Sequence, residues 1–168
     1  MKSIFKLLFV AFLTLAPLTA NAQSNVAHIN VQQLISEMPE VIAAQNELAK
    51  LEKDYTTQID NAFKEFQTKA QSYSSDAANQ TDVTNQARQK ELESMQTNLQ
   101  EFRDSAAQEL QKKQMDLMTP LLEKARNAIT KVGEEQGFNY VIDSSPNGGF
   151  ILANGKDLLA DVKKELGF

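Results

Sequence analysis

The sequence predicts an α+β, mostly α chain: a long antiparallel coiled-coil helical hairpin projecting from a small β-sheet base that carries a C-terminal helix. Two stretches without glycine, Glu40 to Ser72 and Val83 to Thr119, each hold one narrow apolar seam between charged and amide side chains. A short polar segment joins them. Strand-like and turn-rich segments gather only at the two ends. Arms with a single seam each bury it most simply by folding back on one another.

The N-terminal segment reads as an export signal rather than as part of the fold. Lys2 and Lys6 open it, Leu7 to Leu15 is apolar, and Ala20-Asn21-Ala22 has the small-x-small pattern of a cleavage site. The apolar run is about half the ~20 residues that cross a bilayer. Residues 1–22 are therefore expected to be removed, leaving a mature chain from Gln23 in an extracytoplasmic space. The chain has no cysteine, which excludes a lipid-attached start, a disulfide framework and thiol chemistry. Without Lys2 and Lys6 the balance is 15 basic against 22 acidic residues, a net charge of −7. An acidic chain is a poor match for nucleic acid, which demands clustered Lys and Arg.

The base is expected from residues 23–38 and 120–168. Val26-Ala27-His28-Ile29 is a short strand, and Asn30 with Gln33 three residues on resembles a capping box for a turn of helix over Val31–Glu37. Pro39 marks a fresh helix start. The arm is expected over residues 39–119. Its outgoing seam is Val41, Ala44, Leu48, Leu51, Tyr55, Ile59, Ala62, Phe66, Ala70 and Tyr73, spaced by three and four residues as a packed helix requires. The tip falls near residues 73–82, where Asp76 and Asp82 are the charges and Thr81 can cap the return helix. The returning seam runs through Leu92, Met95, Leu99, Phe102, Ala106, Leu110, Leu117, Leu121, Ala125 and Val132, with Pro120 expected to bend it. Gly137 is a helix stop. Phe138 to Asp143 and Phe150 to Leu152 read as two strands of a hairpin, joined by the turn-forming run Ser144 to Gly149. Leu158, Leu159, Val162 and Leu166 form the stripe of a last helix that Gly167 ends.

Catalysis finds no support in this composition. His28 is the one histidine, so neither a Cys/His pair nor a histidine metal cluster exists. No Gly-x-Ser-x-Gly elbow is present, and Gly148-Gly149 lacks the following Lys-Ser/Thr of a phosphate loop. The expectation is a protein that is not an enzyme, with no catalytic, metal or cofactor-binding residues and no cofactor. Two kinds of contact remain. Phe63, Phe66, Tyr73 and Met115 are the candidates for holding apolar segments of another chain, because aromatic and methionine side chains on a long arm adapt to varied surfaces. Val26, Ile29, Val141, Ile151, Leu158 and Val162 are the candidate core of the base and of its association with other copies. A few short strands and one helix make a marginal unit with exposed edges, so copies are expected to associate through the base.

The end segments carry a resemblance. Val26-Ala27-His28-Ile29-Asn30 runs into Gln32-Gln33-Leu34-Ile35, and Glu37-Met38-Pro39-Glu40 opens the coil. Gly137-Phe138-Asn139-Tyr140-Val141-Ile142-Asp143 follows the return arm, and Lys156-Asp157-Leu158-Leu159-Ala160-Asp161-Val162 closes the chain. This arrangement resembles the Skp/OmpH family of periplasmic chaperones over essentially the whole mature chain. The resemblance implies a homotrimer whose base strands form a small barrel, with three hairpins around a cavity. It also implies ATP-independent capture of unfolded outer-membrane proteins in the periplasm before membrane insertion. Better-known members are basic; here the tip carries Asp76 and Asp82, which argues against contact with a membrane surface. The alternative is a non-catalytic structural or adaptor protein of the cell envelope, presenting the tip to one folded partner.

Overall fold

The computed structural model describes residues 25–168 apart from residue 147; the expected signal, residues 1–22, lies outside these. The order of elements is β1 (Val26–Ile29), α1 (Val31–Glu37), α2 (Pro39–Asp76), a 3-10 turn (Ala77–Asn79), α3 (Asp82–Glu135), β2 (Tyr140–Asp143), β3 (Lys156–Asp157) and α4 (Leu159–Leu166). Helices α2 and α3 are the two arms. At 1.5 Å per residue, their 38 and 54 residues give lengths of about 57 and 81 Å. None of the described helices is long and apolar enough to cross a membrane.

The seams close as their spacing predicts. Every seam position from Val41 to Tyr73, and from Leu92 to Val132, is buried or half-buried, while most residues between them face solvent. Ion pairs rivet the two helices beside the seam: Glu40 to Lys124 at 2.5 Å, Glu47 to Lys113 at 2.8 Å, and Lys69 to Glu91 near the tip. Their order fixes the arms as antiparallel. Tyr55 and Phe102 meet edge to face across the middle, 6.0 Å between ring centres. Helix α3 continues through Pro120, so no break in secondary structure marks the arm–base boundary expected at residue 119.

The tip is tied down by a small polar network. The Tyr73 hydroxyl donates to Glu91 Oε2 at 2.6 Å, and the Arg88 guanidinium lies 4.7 Å from the Tyr73 ring centre. Arg88 also donates to Asp76 Oδ2 at 3.1 Å, which Gln80 reaches at 2.6 Å. Thr81 Oγ1 accepts from the backbone N–H of Thr84, capping α3 as expected. Hydrogen bonds from Lys69 and Tyr73 hold the Glu91 carboxyl below its ordinary value of 4.5; those from Arg88 and Asn79 hold Asp76 below 3.8.

In the base, β1 is the centre of a three-stranded sheet, ordered β2-β1-β3 and parallel throughout. The expected hairpin is not formed, and residues 150–152 are not a strand. Direction explains this. Helix α3 descends to the base, and the chain reverses at Gly137 (φ +74°), where Phe138 N–H bonds Gly133 C=O and Gly137 N–H bonds Glu134 C=O. Strand β2 therefore ascends beside β1, which itself leads up into α1 and α2. A third ascending strand needs about a dozen residues to return, and residues 144–155 are spent on that crossing. Gly155 then sits so close to β1 that an added Cβ would lie 2.6 Å from the Val26 carbonyl oxygen.

One face of the sheet is covered. Ala27 and Ile29 pack with Leu34, Met38, Val41, Ala125, Ala128, Val132, Leu158 and Val162 into a single apolar cluster, against which Val141 is half-buried. Val26, expected in this core, is half-buried and projects from the other face, because alternate strand residues point oppositely. Ile151, also expected there, is fully exposed; the crossing loop carries it away from the sheet. The end of β2, the start of the crossing loop and Asn30 together cap α1. Asp143 Oδ1 accepts from Val31 N–H at 3.2 Å, Ser145 Oγ from Gln32 N–H at 3.0 Å, and Asn30 Oδ1 from Gln33 N–H at 2.9 Å. Burial pushes the Asp143 carboxyl up, but its hydrogen bonds from Ser145 and Val31 outweigh that and leave it below its ordinary value. Helix α4 ends at Gly167 (φ +89°), as expected.

Two outcomes follow for stability. A Cβ on Gly133 would meet Val141 Cγ2 at 2.8 Å, so Gly133→Leu is expected to cost about 1–3 kcal/mol by overpacking, measured by chemical unfolding. Because the Glu91 and Asp76 carboxyls are lowered in the folded state, their stabilisation is complete above their ordinary values of 4.5 and 3.8 and is lost as pH falls through and below them. Glu91→Gln should therefore lower the melting temperature at pH 7, and the difference from the unaltered protein should shrink towards pH 3.

Candidate functional site

Two surfaces offer contact without belonging to the core. The first runs along the arms. Phe63 and Phe66 stack at 6.5 Å between ring centres with planes 21° apart. Phe66 is a seam residue and half-buried, whereas Phe63, one residue beyond the seam position Ala62, is 40% exposed. Both border an open groove of about 450 Å³ with Leu99 and Arg103 on α3. Met115 is 60% exposed on α3. Tyr73 is held differently: its hydroxyl and ring are committed to Glu91 and Arg88, so it serves the tip rather than presenting a free apolar face. The four candidates are thus not one patch. Phe63 and Met115 are available, Phe66 supports Phe63, and Tyr73 locks the arms.

Sequence reasoning missed Ile42 and Leu122, which are 46% and 44% exposed near the root of the arms. A signal was present. Each follows a seam residue directly (Val41 and Leu121), as Phe63 follows Ala62. A seam of about two side chains per heptad closes the helix pair, so an apolar residue beside a seam position has little to bury itself against unless it also reaches the base core, as Met118 does.

The second surface is the base. The outer face of the sheet, with Val26, His28 and Ile142, borders an open groove of about 490 Å³ that Leu152 and residues 153–155 also line. His28 is half-buried there, its Nδ1 3.2 Å from Ser144 Oγ. A second groove, about 560 Å³, opens between α1, α3 and β2 and is lined by Val31, Ile35, Leu122, Ile129, Phe138 and Tyr140 among others. Phe150, Ile151, Leu152 and Tyr140 are all more than half exposed. Parallel sheets are stable almost only when both faces are covered, and within one copy this sheet has helices on one face alone. Of the base candidates, Ile29, Leu158 and Val162 are in the cluster and Val141 lies against it, while Val26 and Ile151 face outward.

At the tip the electrostatics add little pull of either sign. Asp76 is matched by Arg88 and Glu91 by Lys69. That leaves Asp82 in the first turn of α3, where the helix dipole favours an acid. Among the described residues no group of three or more His, Cys, Asp or Glu side chains could hold a metal ion. What these surfaces can do is bind apolar chain through many small contacts.

Comparison with known proteins agrees with this architecture. The family model for outer membrane protein (OmpH-like) matches residues 25–166. The chaperone protein Skp of Yersinia enterocolitica is 26% identical over 159 residues, covering 92% of this chain and 93% of the relative. Skp of Pectobacterium atrosepticum is 20% identical over 151 residues, with 90% of each covered. A solved structure described as OmpH-like, from Caulobacter crescentus CB15, superposes with a TM-score of 0.76 at 12% identity, covering 86% of this chain and 85% of that one. That likeness shows a shared fold. With the family model spanning both arms and all three strands, the chain belongs to the OmpH-like outer membrane protein family.

Proposed function

We propose that this protein is an ATP-independent periplasmic holdase, which binds unfolded outer-membrane proteins and keeps them from aggregating until they are inserted. The observation that carries this reading is the pair of exposed apolar side chains, Phe63 and Met115, set outside the seam on projecting arms. An unfolded outer-membrane β-barrel protein offers alternating apolar residues and unpaired strand edges until it reaches its membrane. Scattered aromatic and methionine contacts suit such a ligand, since each is weak, adaptable and indifferent to sequence. Release then needs no nucleotide. The family and the names of the curated relatives support the chaperone reading, and an N-terminal signal of the expected kind supports a periplasmic site.

The protein works as a homotrimer in this reading, with the base as the shared body and the arms enclosing the client. The uncovered sheet face and the exposed loop apolars support association. No catalytic step, cofactor or nucleic acid enters. A membrane-surface role is not inferred either, because the basic side chains nearest the tip, Lys69 and Arg88, are already paired and anionic lipid demands clustered free Lys and Arg.

Aggregation of a denatured outer-membrane β-barrel protein on dilution, followed by light scattering, tests the reading. An equimolar amount of the assembled protein should suppress scattering. Unchanged scattering would end the proposal, and a folded partner bound at fixed stoichiometry would favour an adaptor. Replacing Phe63 and Met115 together by Ala should leave helical circular dichroism unchanged and lower the melting temperature by only a few degrees, since Met115 is mostly exposed and Phe63 gives up a half-exposed stack on Phe66. Client affinity, at about 1 kcal/mol per lost partial contact, should fall roughly tenfold or more.

A further inference from the structure

We propose that the Asn154-Gly155 step at the entry to β3 is a site of spontaneous modification, where Asn154 converts to isoaspartate and loosens the edge of the sheet. The chain holds two Asn-Gly steps, 147–148 and 154–155. At such a step the residue after the asparagine has no side chain to shield its backbone nitrogen. The nitrogen of Gly155 attacks Cγ of Asn154 and gives up its proton to water. The Cγ–Nδ2 bond breaks and ammonia leaves, closing a five-membered imide. Water then opens the ring at either carbonyl. One product is aspartate. The other is isoaspartate, whose backbone runs through the former side-chain carbonyl and is longer by one methylene. No oxidant, reductant or enzyme enters.

The fold separates the two steps. Attack requires a site open to water and a backbone nitrogen that is not committed elsewhere. The Gly148 N–H donates to the Ser145 carbonyl at 2.7 Å. Asn154 and Gly155 are both exposed and border the open groove on the outer face of the sheet. Among the described residues the Gly155 N–H donates no backbone hydrogen bond. The pairing of β3 with β1 begins one residue later, at Lys156, and ends with Leu158 N–H on the His28 carbonyl at 2.9 Å. Step 147–148 must first break a hydrogen bond, which slows it by roughly fivefold.

Position decides the consequence. Strand β3 is two residues long, and it enters the sheet directly from Gly155, which has no room for a Cβ beside the Val26 carbonyl. An added methylene at this point displaces the approach to the ladder. The new carboxylate lies two positions from Lys156, which ties β3 to Gln136 at 2.6 Å and to Asp161 at 2.9 Å, and it competes with both. So short a strand has little else to hold it.

Ageing the full chain at mildly alkaline pH, folded and in urea, tests the assignment. Fragment masses report the gain of one mass unit at each asparagine, and an isoaspartyl methyltransferase counts the isoaspartate. In the folded protein position 154 should convert first, roughly fivefold or more ahead of 147, while in urea the two should convert alike. Equal rates in the folded protein, or 147 ahead, would overturn the assignment. Amide exchange reads the consequence. In the aged protein Leu158 should lose its protection. Asn154→Asp, which carries the charge without the methylene, should keep most of it, and Asn154→Ser should keep all of it after the same treatment. Protection at Leu158 that survives full conversion would sink the loosening of the sheet edge.

Discussion

The whole molecule depends on one closure: two long amphipathic helices meeting along a seam that each of them carries only once. Isolated helices of this polarity gain little from propensity and are stabilised by the apolar face they bury. Here the seam positions from Val41 to Tyr73 lie against those from Leu92 to Val132. The cross-arm ion pairs at Glu40, Glu47 and Lys69 keep register from base to tip. Exposed pairs contribute little individually. Their effect is on register, since a slipped pairing would leave them facing like charges or nothing. The tip adds its own tie through Tyr73, Glu91, Arg88 and Asp76, so the turn is set by side chains and not by a glycine.

That closure brings together two chain ends which are far apart in sequence, and the base is built from the meeting. Strand β1 rises into the outgoing arm, and the reversal at Gly137 sends β2 up beside it. Gly133, inside α3, lets the helix approach Val141 closely. The cap of α1 depends on the same meeting: two of the three side chains that satisfy its first backbone N–H groups, Asp143 and Ser145, come from the far end of the chain. Sheet, first helix and crossing loop therefore hold one another, and all three rest on the arms being paired. The side chains left over, on the outer sheet face, in the crossing loop and beside the seams, are the ones with chemistry to offer a partner.

The candidate surfaces were legible to different degrees. Phe63 was readable because an apolar residue next to a seam position has no place in a two-helix contact, and the same rule applied to Ile42 and Leu122 would have found them. The role of Tyr73 at the tip was not legible, because period alone does not reveal that a seam tyrosine has a glutamate and an arginine within reach on the other helix. Within one chain Ile151 and Val26 lie outside the apolar cluster, because Phe150-Ile151-Leu152 has strand composition without forming a strand and Val26 lies on the outer face of β1. Composition reports what a segment can do; the strand beside β1 was already supplied by Lys156–Asp157, and only one neighbour can occupy that edge.

What the sequence determined by itself was everything set by local period and local chemistry: two arms, their seams, the turn between them, the caps at Asn30 and Thr81, and the helix stops at Gly137 and Gly167. These depend on residues within a few positions of each other. Only the tertiary structure decided the parallel sheet, the outward turn of residues 150–152, and the division of apolar residues between core and open surface. Those depend on which way a chain is travelling when it arrives at its neighbour, a direction inherited from 38- and 54-residue helices and invisible in any short window of sequence.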